Sequence, residues 1–258
     1  MKKPLILVVN DDGISAKGIR ALIRIMNDFG DVVVVAPDSP QSGKGHAITI
    51  ESNIRCEKVV IDTGPQKEYA CSGTPVDCVK LAVNQILESK PDLCVSGINH
   101  GSNSSINVIY SGTMAAAVEG ALEEIPSVGF SLLDSAYNAD FSESEPYIRK
   151  IIKGVLNNGL DSGVCLNVNI PKRVENKDLR GIKVCRQANG NWEEEFEKRT
   201  DPKGKSYYWL TGKFTNYDEG KDTDEWALAN HYVSVVPVQF DVTAYSSLLS
   251  IKKLLLDE

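Results

Sequence analysis

Two neighbouring carboxylates, Asp11 and Asp12, follow directly on a short apolar run, in the segment LILVVNDDG at 5–13. Adjacent acids repel each other, which costs stability unless a cation lies beside them. Two other polar loops hold oxygen donors that could complete a cation site. One is PDSPQSGKGH at 37–46 and the other is SGINHGSN at 96–103, both carrying side-chain hydroxyls and amides. An all-oxygen set favours Mg²⁺, Mn²⁺ or Ca²⁺ over zinc or copper. Asp-Asp-Gly also suits a plain turn in which one acid caps a helix starting near Ala16.

The third loop is punctuated by glycine, rich in amides and hydroxyls, and free of acids, a composition suited to oxyanions. It leads on to Tyr110-Ser111-Gly112-Thr113, directly before an Ala-rich helical stretch at 114–124. Free backbone N–H groups and the helix dipole favour a phosphate at such a start. Thr113 as an ordinary N-cap is compatible with that reading. Ala115, Ala116, Ala117, Gly120 and Ala121 predict a helix that packs close to its neighbours. His46 and His100 lie in the polar loops and are candidates for proton chemistry, whereas His231 sits in a strand-like stretch. Lys44 either steers phosphate or is a solvated loop lysine.

The apolar runs at 5–9, 32–36, 92–96 and 127–131 predict strands covered on both faces. Helical patterns lie between them. Residues 18–29 carry Ile19, Leu22, Ile23 and Met26 on one face, and 75–88 open with Thr74 as N-cap and Pro75 at the first helical position. This alternation predicts an α/β fold over about residues 1–135: a doubly wound, mostly parallel Rossmann-like sheet with helices on both faces. An amphipathic segment at 144–157 and a strand at 164–171 extend it. Ligands of such sheets bind beyond the carboxyl ends of the strands, where the polar loops fall.

The character shifts after residue 176. Residues 190–225 mix aromatics with many charges, predicting a twisted β-hairpin arm, and 244–256 read as a terminal helix. Tyr207, Tyr208 and Trp209 either pack on the parent domain or embrace a second subunit. The expected division is therefore a catalytic core at 1–175 and a carboxyl-terminal extension with an oligomerisation arm at 176–258.

The composition of the 258 residues, 42% hydrophobic and 24% charged, excludes disorder, collagen and a coiled coil. Lys and Arg total 28 against 35 Asp and Glu, a net charge of −7, so no basic field exists for a nucleic-acid backbone. Cys56, Cys71, Cys78, Cys94, Cys165 and Cys185 show no metal or Cys-x-x-Cys spacing and are expected to be free, buried thiols in a reducing compartment. Five apolar residues after Lys2-Lys3-Pro4 are too few for a signal-peptide core or a membrane span, so a cytoplasmic protein is expected, with no membrane partner.

Five ordered segments carry a resemblance: VVNDDGISAKGI at 8–19, APDSPQSGKGHAIT at 36–49, SGTPVDCVKLA at 72–82, VSGINHGSN at 95–103 and YSGTMAAAVEGAL at 110–122. With RQANGNWEEEFEKR at 186–199 and YYWLTG at 207–212, they resemble the SurE family, the stationary-phase survival nucleotidases. The resemblance implies a metal-dependent 5′/3′-nucleotidase acting on nucleoside monophosphates, with short polyphosphate as a further substrate. It implies one divalent cation per subunit, Mg²⁺ or Mn²⁺, on Asp11, Asp12, Ser42 and Asn99, and phosphate held by Asn103, Ser111, Gly112 and Thr113. It also implies a homodimer or tetramer that exchanges carboxyl-terminal elements. Ser39-Pro40-Gln41 departs from the charged loop common in the family, which bears on base preference.

Hydrolysis by water, with Asp11 or Asp12 accepting its proton, competes with a covalent aspartyl-phosphate on Asp11. A non-catalytic nucleotide or metal sensor would use the same loops without turnover. A dinucleotide oxidoreductase is disfavoured, because no Gly-x-Gly-x-x-Gly follows the first strand.

Overall fold

The computed structural model describes residues 3–136, 138–173 and 178–256, so the expected boundary at 175/176 lies outside the described residues. Nine strands form one sheet in the order β3-β4-β2-β1-β5-β6-β7-β11-β8. They are β1 (Leu5–Val9), β2 (Asp31–Pro37), β3 (Cys56–Val59), β4 (Lys67–Cys71), β5 (Leu93–His100), β6 (Ser127–Leu132), β7 (Val164–Ile170), β8 (Ile182–Val184) and β11 (Val233–Gln239). β3 against β4 and β11 against β7 are antiparallel; the other pairings are parallel. Strands β8 and β11, from the carboxyl-terminal third, thus complete the same sheet as the core.

The alternation of side chains along β1 accounts for the two-faced burial. Ile6 and Val8 join one apolar cluster, while Leu7 and Val9 join the other. Helices α1 (Lys17–Met26) and α4 (Glu145–Asn158) cover the first face; α2 (Pro75–Leu81) and α3 (Gly112–Leu122) cover the second. Thr74 caps α2 as its sequence predicts, accepting from Asp77 N–H while the Asp77 carboxylate accepts from Thr74 N–H. The helix does not run to residue 88: after Leu81 it widens into a π-type turn, Ala82–Ile86.

Two expectations are corrected here. Cys56 and Cys71 lie directly opposite each other in the β3–β4 ladder and are joined as a disulfide, so only Cys78, Cys94, Cys165 and Cys185 are free buried thiols. Their pairing depends on strand register, which residue spacing does not reveal. His231 is not in a strand; it takes φ 61° in the turn between α5 (Asp224–Ala229) and β11.

The expected arm is a separate two-stranded ribbon, β9 (Gly190–Thr200) with β10 (Ser206–Asn216). The aromatic run on β10 is left largely in solvent: Tyr207, Tyr208 and Trp209 are 41%, 59% and 57% exposed. The last helix, α6 (Leu248–Leu256), leaves Leu249, Leu254 and Leu255 similarly exposed. Among the described residues no helix is long and apolar enough to cross a membrane.

Candidate active site

Asp11 and Asp12 stand at the carboxyl end of β1, in the middle of the sheet. Neither acid caps α1, whose N-cap is Ala16 without a side-chain bond. Asp11 is buried and Asp12 half-buried. The second loop is tied to them by its backbone, Gln41 N–H donating to Asp11 O at 2.7 Å, and this sets the exposed Ser42 one residue away.

The third loop arrives through a change of register in β5. Pairing with β6 shifts between Ser96 and Asn99, and Gly97 takes φ 122°, where an added Cβ would lie 2.3 Å from Phe130 O. Such an irregularity re-aims the residues that follow. His100 N–H then donates to Asp12 Oδ2 at 3.3 Å. The Asn99 amide nitrogen donates to His100 O and Gly101 O, at 3.2 and 3.0 Å, leaving its oxygen available to a cation.

Helix α3 meets the acids end-on. Ser111, not Thr113, is its N-cap, accepting from Met114 N–H at 3.0 Å. Thr113 instead donates its hydroxyl to Asp11 Oδ1 at 2.5 Å. Gly112 permits the approach: a Cβ there would lie 2.7 Å from Asp11 Cβ. Asp11, Asp12, Asn99, Gly112 and Thr113 therefore converge.

Asn103 has different company. Its Nδ2 donates to Ser131 Oγ, its N–H to Asn169 Oδ1, and its carbonyl accepts from Asn167 Nδ2, each at 2.8 Å. Asn167 and Asn169 recur with strand period on β7 and bond to each other at 2.9 Å. The Asn-x-Asn alternation in VCLNVNIP was the available signal for this network, and it reads at first only as a strand. The histidines also take structural positions. His46 Nε2 lies 2.8 Å from Glu119 Oε2, and the His100 ring packs edge-on against Phe141.

The electrostatics single out the acid pair. Burial first, and the charge of Asp12 in addition, raise the Asp11 carboxyl to about 6 against the opposing hydrogen bond from Thr113. Burial also raises Asp12, opposed by His100 N–H. By contrast, two arginines in the wall of a 540 Å³ cavity between α1 and α4 are each paired with acids, Arg20 with Asp62 and Glu68 and Arg149 with Asp28 and Glu145.

A divalent cation fits this donor set. Two adjacent carboxyls are both raised by burial, the Asn99 oxygen is available, and the buried Asn10 Oδ1 beside them has no hydrogen-bond partner among the described residues. Among the described residues no cluster of three or more His, Cys, Asp or Glu forms an alternative metal centre.

The family described as "Survival protein SurE" matches residues 6–194. A protein of Flavobacterium psychrophilum named "5'-nucleotidase SurE" is 66% identical over 96% of this chain and 96% of its own length. One of Christiangramia forsetii with the same name is 68% identical over 95% and 94%. The crystal structure of the SurE protein from Aquifex aeolicus superposes with a TM-score of 0.82 at 42% identity, covering 97% of this chain and 99% of that one.

Proposed function

The chain belongs to the SurE family, and from that premise we propose that it is a metal-dependent 5′-nucleotidase that hydrolyses nucleoside monophosphates to nucleoside and phosphate. The observation that carries the reading is the adjacent Asp11–Asp12 pair, both carboxyls raised by burial, with Asp11 facing the start of α3. Asp11, Asp12, Ser42 and Asn99 hold one Mg²⁺ or Mn²⁺. Bound there, such an ion polarises a phosphoryl oxygen and offsets the charge that develops on it.

The remaining roles belong to the chain itself. Backbone N–H groups at the start of α3, from Gly112 and Thr113, bind phosphate oxygens with the helix dipole behind them. The Ser111 hydroxyl caps the helix and orders that turn. Thr113 holds Asp11 in place through its hydroxyl. Asp12 is the more exposed acid; with Oδ2 held by His100 N–H, its other oxygen takes the proton of the attacking water. Asn103 supports the third loop through its buried amide bonds and so aligns Asn99.

Exposed apolar surface on the arm and on α6 supports assembly as a homodimer or tetramer. Phosphate release from a panel of nucleoside monophosphates and short polyphosphates, with Mg²⁺, Mn²⁺ or EDTA, tests the reading. Metal-dependent release from nucleotides is expected. Full activity in excess chelator, or none with any metal, would defeat it.

A further inference from the structure

We propose that the cleft at the root of the β9–β10 arm is the nucleobase subsite of this centre, with Tyr110 and Trp192 as stacking surfaces and Glu194 as the acceptor that favours guanine. The inference rests on the nucleotidase reading and deepens it.

The cleft encloses about 500 Å³ between Gly43, Tyr110, Trp192, Glu194 and Leu210. That volume is within the range of sites for drug-sized ligands. Its walls adjoin both halves of the proposed phosphate site. Gly43 follows Ser42, and Tyr110 precedes Ser111, the cap of α3. Gly45 N–H donates to Tyr110 O at 3.1 Å, which holds the two loops together. A nucleotide whose phosphate lies at the start of α3 therefore has this cleft within reach of its base.

One residue ties the backbone of Tyr110 to the ring of Trp192. Asn107 accepts Tyr110 N–H on its carbonyl at 3.1 Å, and accepts the Trp192 indole N–H on its side-chain oxygen at 2.7 Å. Phe214 supports the Trp192 ring edge-on, with centroids 6.0 Å apart. Both Tyr110 and Trp192 keep substantial exposed area, 48% and 38%. Exposed aromatic rings are the usual platform for a base, because every base has a π-face.

The ladder places the acceptor. Trp192 and Glu194 are two apart on β9 and share a face, and Gly212, opposite Glu194 on β10, also lines the cleft. An ionised carboxylate only accepts hydrogen bonds. Guanine presents N1–H and N2–H₂ side by side to its two oxygens, adenine presents only its amino group, and uracil adds carbonyl oxygens that the charge repels.

The test separates the cleft from the catalytic centre. Calorimetric titration of guanosine, adenosine and uridine, without phosphate and in EDTA, reads the cleft alone; guanosine is expected to bind most tightly. In Mn²⁺, kcat/KM for GMP is compared with that for ribose 5-phosphate. Tyr110→Ala and Trp192→Ala should each lower the GMP to ribose 5-phosphate ratio about tenfold through KM, while Trp192→Phe stays within about threefold of wild type. Glu194→Gln should lower the GMP to UMP ratio several-fold. Asn107→Leu should lower the first ratio, and Asn107→Asp, which can still accept the indole N–H, should restore it. Absence of guanosine binding, or a parallel fall with GMP and ribose 5-phosphate, would overturn the assignment. If no substrate releases phosphate yet guanosine binds and Tyr110→Ala abolishes that binding, the nucleotidase reading falls and the base subsite stands.

Discussion

Asp11 and Glu119 are both almost fully buried acids associated with helix α3, one facing its first turn and the other near its end, yet the fold keeps them by opposite means. Burial pushes the Glu119 carboxyl up, but His46 at 2.8 Å and Lys80 at 2.6 Å outweigh it and hold the acid below its ordinary range. Asp11 receives only hydrogen bonds, faces a second acid, and is raised to about 6. A structural carboxylate brings its own cation; one that serves a ligand does not. Deferred compensation of this kind is how a binding site differs from a stability device.

Replacing the acids is the most severe challenge to that contrast. Asp12→Asn or Asp11→Asn should reduce phosphate release by about a thousandfold or more. Thermal melting in EDTA should show Asp11→Asn at least as stable as wild type, because a repelling buried charge has been removed. A clear loss of melting temperature would mean that the charge of Asp11 is structural. Acid titration is the next challenge. The native value of Asp11 lies above its ordinary 3.8, so the native state holds an extra proton between about pH 4 and 6. Metal-free stability should therefore fall as pH rises through that window, by on the order of 3 kcal/mol. Mn²⁺ affinity should weaken as pH drops below about 6, as calorimetry at pH 5 and 7 would show.

Glu119→Gln should do the reverse of the site substitutions. It leaves His46 and Lys80 without their acid and should lower stability by about 1–2 kcal/mol, while phosphate release per folded molecule stays within a few-fold; denaturant melts and active-site titration measure both. The smallest effect belongs to Thr113→Val. Losing the hydroxyl that stabilises ionised Asp11 should move the acidic limb of the pH–rate profile upward by up to about one pH unit.

Legibility in the sequence followed the range of the interactions. Strands β1, β2, β5 and β6, the capping box at Thr74 and the hairpin depend on local periodicity and capping, and they form close to where the pattern puts them. Edge strand β3 and its neighbour β4 escaped, because short strands such as CEKV and KEYAC carry charges and little apolar signal. The disulfide escaped with them. At the site, Asp11 and Asp12 stand out in the chain as an unusual pair, but the roles of Ser111 and Thr113 were exchanged, since either hydroxyl suits a helix start and only the approach of β1 decides which one caps.

By itself, the order of residues determined a two-faced parallel sheet, the loops at its carboxyl edge and the donors those loops carry, because periodicity and residue type are properties of neighbours along the chain. Tertiary structure alone decided that Gly112 would lie against Asp11, that Asn103 would be engaged by β7, and that Trp192 would meet the loop of Tyr110 through Asn107. Each of those contacts joins residues tens of positions apart, and their geometry exists only once the intervening elements have packed.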